Sequence, residues 1–120
     1  MSHSKNSPFP QRSVMLITRP GPDLIDIVSM ALEAGVGTIQ LRDKTASDAD
    51  FIQTAERLIP LTRSYRVPLI VNDRLAVASL LGLGLHVGAT DVSPVVARQA
   101  LGPDVLLGLT VHDRIDDISR

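Results

Sequence analysis

The sequence predicts an α/β protein in which parallel strands alternate with helices. Short apolar runs, typical of strands buried on both faces, alternate with segments whose apolar residues recur at helical spacing. Each strand and helix together take about 20–25 residues, which is typical of a chain that returns to a parallel strand. Polar clusters follow the second to fifth strands, at the edge where open α/β sheets and β/α barrels both place ligands.

Composition excludes several classes of function. The chain has 120 residues and 44% hydrophobic content, enough for one compact domain with a core. Its formal charge of −1, with acids and bases interspersed, argues against nucleic acid as a partner. There is no cysteine, which excludes disulfides and fits a reducing compartment, so we expect a cytoplasmic protein. No apolar run approaches the ~20 residues of a membrane span, so we expect no membrane partner.

The elements follow a leader at residues 1–12, which is rich in serine and proline and is expected to be flexible; the domain is expected to cover residues 13–120. Ser47 and Asp50 resemble a capping box, and Ser93-Pro94 is typical of a helix start. Gly35 and Gly102 are typical of helix ends. The predicted strands are residues 14–17, 38–44, 67–71, 84–88 and 105–111, and the predicted helices begin near residues 23, 47, 74 and 93.

The second strand carries polar residues at every second position. Successive strand side chains point to opposite faces, so Gln40, Arg42 and Lys44 are predicted to share one face. Two positive charges on an inward face are costly to desolvate unless an anion lies among them, which favours a phosphorylated ligand. The alternative is that the strand emerges into water here and that Arg42 and Lys44 are simply solvated.

Two aspartates follow the third and fourth strands. Asp73 and Asp91 are predicted to lie at neighbouring strand ends, where two carboxylates repel each other unless a cation lies between them. Mg²⁺ fits, because it is typically held by one or two carboxylates together with substrate phosphates. The alternative is that each aspartate caps the helix that follows it. Asn72 is equally consistent with a ligand contact or a turn residue.

Four motifs together resemble the thiamine-phosphate synthase family, in their order and in their spacing. They are Gln40-Leu41-Arg42-Asp43-Lys44, Val71-Asn72-Asp73-Arg74, His86-Val87-Gly88 followed by Asp91, and Gly108-Leu109-Thr110-Val111-His112.

The resemblance implies a (β/α)₈ barrel of the TIM type, present here as a truncated barrel of about five β/α units. It implies the condensation of 4-amino-5-hydroxymethyl-2-methylpyrimidine diphosphate with a thiazole phosphate, giving thiamine phosphate and pyrophosphate. No protein nucleophile is required, and Mg²⁺ is the expected cofactor, held by Asp73 and Asp91. The residues expected to bind the pyrimidine diphosphate are Gln40, Leu41, Arg42, Asp43, Lys44, Asn72 and Thr110.

The sequence also departs from the family pattern. Thr110 stands where the family usually has serine, Ala89 where it usually has glutamine, and Arg19 where an acid is common. A barrel of this type has about 250 residues, so the thiazole-phosphate half of the site is expected to be missing.

Three alternatives therefore stay open: a synthase family member, a relative similar to the thiazole tautomerase branch, and a shortened, non-catalytic domain that binds a diphosphate or another chain. Exposed strand edges predict self-association, and the 120-residue chain alone is expected to be inactive.

Overall fold

The structure is a computed structural model that describes residues 14–88 and 93–109. The predicted leader lies outside these residues. The described part alternates strands and helices as the sequence predicts. The elements are β1 (Met15–Ile17), α1 (Leu24–Glu33), β2 (Thr38–Leu41), α2 (Asp48–Ser64), β3 (Leu69–Asn72), α3 (Leu75–Leu81), β4 (Gly84–Val87), α4 (Pro94–Leu101) and β5 (Leu107–Leu109).

The strands form one parallel sheet in the order β1-β2-β3-β4-β5. Because β-α-β crossovers are right-handed, this sequential order places the helices on the same face of the sheet. Alternate strand residues pack with the helices into one core; they include Ile39, Leu41, Leu69, Val71, Leu85 and Val87 from the strands and Val28, Phe51, Leu58 and Ala97 from the helices. Such an order, with helices on one side, is that of consecutive strands in a β/α barrel.

The opposite face of the sheet, called the inner face below, carries the remaining strand residues. Ile17, Gln40, Ile70 and Gly84 are in register across β1 to β4, and the next row continues from Asn72 through His86 to Gly108. A Cβ atom at Gly108 would lie 2.7 Å from the His86 ring nitrogen Nδ1, so the imidazole occupies the space that a side chain would need.

The predicted second strand is too long. β2 ends at Leu41, and residues 42–47 form a loop, so Arg42 and Lys44 do not continue the strand face of Gln40. The physical reason is local: the Asp43 carboxylate accepts hydrogen bonds from the backbone N–H groups of Thr45 and Ala46 (3.0 and 3.1 Å), which turns the chain.

The helix boundaries follow the sequence signals closely. Ser47 caps α2 by accepting a hydrogen bond from the Asp50 N–H (3.1 Å), and Ser93 caps α4 in the same way before Pro94. Gly35 has a φ of 94° and follows the end of α1. Within the residues described here, no helix combines the length and apolar character that a bilayer span requires.

The predicted fifth strand begins too early. Residues 102–106 precede β5 as a loop, and Arg98 donates hydrogen bonds to the carbonyl groups of Gly102 (3.0 Å) and Val105 (2.7 Å). The carbonyl groups of Gly102 and Val105 are therefore occupied by Arg98, and β5 begins only at Leu107.

Candidate ligand site at the carboxyl edge of the sheet

Two opposite charges meet at the carboxyl edge of the sheet. Lys44 lies in the loop after β2, and Asp73 directly follows β3, the neighbouring strand. The Lys44 ammonium group contacts the Asp73 carboxylate oxygen Oδ2 in an ion pair. The sequence predicted that both residues lie at this edge, and the structure brings them into contact.

Asp73 is held in an unusual backbone conformation. Its φ is 65°, in the left-handed region that residues other than glycine rarely adopt. Its N–H donates to the carbonyl of His86 on β4 (2.8 Å), which ties the turn to the next strand. The capping alternative for Asp73 is wrong: the N-cap of α3 is Arg74, and the structure gives no side-chain capping hydrogen bond at this position. The Asp73 carboxylate instead faces Lys44.

The loop that carries Lys44 is organised by Asp43. Besides the two backbone N–H groups already described, the Asp43 oxygen Oδ1 accepts a hydrogen bond from the Thr45 hydroxyl (3.1 Å). The hydrogen bond from the Thr45 backbone, with smaller contributions from Ala46 and the Arg74 charge, holds the pKa of the Asp43 carboxyl below its ordinary value. The Asp43 oxygen Oδ1 therefore stabilises the loop through three hydrogen bonds.

Arg74 joins the two segments that carry the ion pair. Its guanidinium donates to the carbonyl groups of Asp43 (2.7 Å) and Ala46 (2.6 Å) and to the Asp48 carboxylate (2.7 Å). It also stacks over Phe51, with 4.5 Å between the guanidinium carbon and the ring centroid. The sequence prediction gave Arg74 no role of its own; the only signal was its place in the Asn72-Asp73-Arg74 motif.

An amide pair lies below the ion pair, on the inner face. Gln40 is only 2% exposed, and its carbonyl oxygen Oε1 accepts a hydrogen bond from the Asn72 amide (2.8 Å). The Gln40 amide nitrogen in turn approaches the Met15 sulfur at 3.3 Å. Amide side chains carry both donors and acceptors, so this floor can match a heterocycle that presents both.

The other predicted residues of the second motif lie apart from this group. The Leu41 side chain is buried in the core on the helix side of the sheet, so only its backbone is near the edge. Arg42 is exposed, and its backbone N–H donates to the Thr18 hydroxyl (3.1 Å). It borders a cleft of about 90 Å³ between the loops after β1 and β2, which Arg19 and Asp43 also line.

Two predicted site residues, Asp91 and Thr110, lie outside the described residues, as does Ala89. Residues 14–88 and 93–109 contain no group of three or more His, Cys, Asp or Glu that could hold a metal ion. Asp73 is nevertheless a suitable single ligand, because its carboxylate already accepts a cation, the Lys44 ammonium, at the edge of the sheet. A site of one or two carboxylates completed by phosphate oxygens is typical of Mg²⁺.

We call Gln40, Lys44, Asn72, Asp73 and Arg74 the carboxyl-edge cluster. It combines a cation, a carboxylate and an amide floor at the edge where β/α barrels bind their ligands. Fold and site together define a protein of the β/α-barrel type with cationic, acidic and amide side chains at the carboxyl edge of its sheet.

Comparison with known proteins gives the family. The model of the thiamine monophosphate synthase family matches residues 14–119. Similar relatives include the thiamine-phosphate synthases of Roseiflexus sp. (strain RS-1), 47% identical over 89 residues and 73% of this chain, and of Shouchella clausii (strain KSM-K16), 40% identical over 94 residues and 78% of this chain. The chain belongs to the thiamine monophosphate synthase family.

A solved structure supports the same assignment. The thiamine phosphate pyrophosphorylase from Pyrococcus furiosus is similar with a TM-score of 0.73 and 30% identity over 82% of this chain. The predicted barrel-type α/β fold is thereby confirmed. The chain covers 50% of that structure, and 38% and 45% of the two relatives named above, so it spans about half their length.

Proposed function

We propose that this chain carries the pyrimidine-diphosphate half of a thiamine-phosphate synthase site. The reaction joins 4-amino-5-hydroxymethyl-2-methylpyrimidine diphosphate to a thiazole phosphate and releases pyrophosphate. The observation that carries the proposal is the meeting of Lys44 and Asp73, from the ends of neighbouring strands, above the amide pair of Gln40 and Asn72.

The proposed roles follow from the chemistry of each group. Lys44 and Arg42 bind the diphosphate oxygens and stabilise the negative charge that grows on them as the bond from methylene carbon to oxygen breaks. Gln40 and Asn72 present amide groups to the aminopyrimidine ring. The thiazole nitrogen then forms the new bond to the methylene carbon, so no side chain acts as a nucleophile.

Mg²⁺ is the cofactor we propose, with Asp73 and Asp91 as its protein ligands. When bound, Mg²⁺ neutralises charge on the leaving pyrophosphate. Asp73 supports this proposal because its carboxylate already accepts a cation, the Lys44 ammonium. In this proposal, Lys44 contacts the diphosphate instead of Asp73 once Mg²⁺ is bound. In this proposal Thr110, the residue after β5 in the sequence, also contacts the diphosphate. The cytoplasmic location expected from the sequence stays a prediction.

Calorimetry with inorganic pyrophosphate and with the pyrimidine diphosphate tests this proposal. We expect Mg²⁺ to tighten the binding of both ligands, and we expect Asp73→Asn and Asp91→Asn each to remove that dependence. Asp104→Asn is the matched control, because Asp104 is an exposed aspartate in the loop before β5. Equal affinity with and without Mg²⁺ in the unmutated chain would contradict the proposed metal role.

A second candidate is a diphosphate-binding domain without turnover, because the described groups at the carboxyl edge, Lys44 and Asp73 above the amide pair, are those proposed to bind the diphosphate. Both candidates predict pyrophosphate binding, and they differ in whether both substrates together release pyrophosphate. A relative of the tautomerase branch is less well supported, because that branch has no need of the pair Asp73 and Asp91.

A further inference from the structure

Arg74 lies between the two segments that carry the ion pair. It directly follows Asp73, while its side chain reaches across to the loop after β2, where Lys44 lies. We infer that Arg74 is a positioning residue: it fixes the Lys44 loop against the Asp73 turn and thereby sets the affinity of the site for a diphosphate.

The geometry of the clamp supports this role. One guanidinium nitrogen, Nη2, donates hydrogen bonds to both the Asp43 carbonyl and the Ala46 carbonyl, so these two carbonyl groups converge on a single donor. The two residues between them, Lys44 and Thr45, therefore form the tip of a loop whose base is closed. The position of the Lys44 backbone depends on that closure.

The remaining contacts keep Arg74 itself in place. The second nitrogen, Nη1, donates to Asp48 in the first turn of α2, and the guanidinium plane covers the Phe51 ring. Its side chain is only 18% exposed. A lysine at this position carries the same charge but has one nitrogen, which cannot reach three acceptors and stack on a ring at the same time.

Arg98 provides a matched comparison within the chain. It also donates to two backbone carbonyl groups, those of Gly102 and Val105, but it closes a loop at the amino edge of the sheet. Replacing either arginine with lysine removes a similar clamp and keeps the charge. The two variants lose support at opposite edges of the sheet, and Arg74→Lys also loses the contacts with Asp48 and Phe51.

The first measurement is amide hydrogen exchange in the chain without ligand, which does not depend on the proposed function. We expect Arg74→Lys to speed exchange of the Thr45 and Ala46 amides roughly tenfold, as a local opening that loses charge-assisted hydrogen bonds should. Arg98→Lys should leave these two amides unchanged. Unchanged exchange in Arg74→Lys would overturn the inference.

The second measurement is the affinity for inorganic pyrophosphate with Mg²⁺, and this part rests on the proposed function. We expect Arg74→Lys to weaken binding about 10–100-fold, the usual effect of losing a group that orients a ligand-binding residue. Arg98→Lys should bind as the unmutated chain does. Equal binding by Arg74→Lys would overturn the inference.

A double-mutant cycle separates positioning from general stability. If Arg74 acts through Lys44, the effect of Arg74→Lys on pyrophosphate affinity should largely disappear in the Lys44→Met background. The same loss in both backgrounds would mean that Arg74 only stabilises the fold. If the unmutated chain binds no pyrophosphate, the proposed function fails, and the exchange of the Thr45 and Ala46 amides alone decides whether Arg74 positions the loop.

Discussion

The carboxyl edge and the amino edge of the sheet share two structural features but differ in the side chains that they present. Each edge has an arginine that closes a loop through backbone carbonyl groups, Arg74 at the carboxyl edge and Arg98 at the amino edge. Each also has one described non-glycine residue with positive φ, Asp73 at 65° and Arg66 at 56°. The backbone geometry alone therefore does not distinguish a ligand site from a structural turn.

The side chains make the difference. At the amino edge, Arg66 is exposed in the turn that ends α2, and the adjoining groove is lined largely by apolar residues such as Val67, Leu83 and Val105. At the carboxyl edge, the strained turn instead presents the Asp73 carboxylate to Lys44. The left-handed residue at the amino edge lies in the turn that follows α2, whereas the one at the carboxyl edge holds a charged group at the candidate site.

The largest expected effect is the loss of catalysis in the 120-residue chain, and it tests whether the carboxyl edge can catalyse the reaction without further chain. The inner face leaves Met15, Ile17 and Leu106 exposed by 40%, 51% and 47%, and β1 and β5 are the outer strands of the described sheet. Such edges and apolar surface recruit partners. We therefore predict that the 120-residue chain self-associates in sedimentation runs and releases no pyrophosphate from both substrates with Mg²⁺.

A full-length family member assayed in parallel is the positive control for that experiment. A well-behaved monomer with measurable turnover would contradict the prediction, because the carboxyl edge would then suffice by itself for catalysis. It would also remove the second candidate function, a binding domain without turnover.

The next effect sharpens the contrast between arginines at the two edges. Arg42→Ala should weaken pyrimidine-diphosphate binding by about 1.5–3 kcal/mol, because a charge-assisted hydrogen bond to the diphosphate is lost. Arg63→Ala, which removes an exposed arginine from the last turn of α2, is the control and should leave the affinity unchanged. Calorimetric titration measures both. Unaltered binding by Arg42→Ala would support the alternative in which Arg42 is simply solvated.

Much of the fold was predictable because its signals are local. Ser47, Ser93 and Gly102 mark helix boundaries through hydrogen bonds and backbone preferences within a few residues, and the structure confirms them. The end of β2 was not predicted, since alternating polarity from Gln40 to Lys44 resembles a strand. The competing interaction is the Asp43 turn, which outweighs that pattern.

The candidate site was predictable in part. Parallel strands end at one edge, which is why the sequence could place Lys44 and Asp73 at the same edge; their contact with each other was not predicted. The role of Arg74 depends on contacts with residues 26 to 31 positions away, and periodicity carries no information about them. The Leu41 side chain was assigned to the site with its motif, although strand alternation turns it toward the core.

A smaller effect should separate the two positive-φ residues. Arg66→Gly should raise the free energy of unfolding by about 0.5–1 kcal/mol, because relief of left-handed strain exceeds the extra entropy that glycine loses on folding. Pyrophosphate affinity should stay the same. Asp73→Gly relieves similar strain but should lose Mg²⁺-dependent binding. Urea unfolding and calorimetry measure the two quantities, and a loss of ligand affinity in Arg66→Gly would show that the edges are not separate.

The smallest effect concerns the pH dependence of the loop that carries Lys44. The pKa of Asp43 is lowered in the folded chain, chiefly by the hydrogen bond from the Thr45 backbone, so the folded state favours the carboxylate. This contribution to stability is present above the ordinary aspartate pKa and is lost as the pH falls through the lowered folded pKa. We expect Asp43→Asn to be less stable than the unmutated chain near neutral pH, and we expect the difference to shrink below about pH 4. Urea unfolding of both chains at the two pH values tests this, with exchange of the Thr45 amide as a local readout. A stability difference that stays constant on acidification would mean that the Asp43 charge does not organise the loop, and that the carboxyl edge depends on the Arg74 clamp alone.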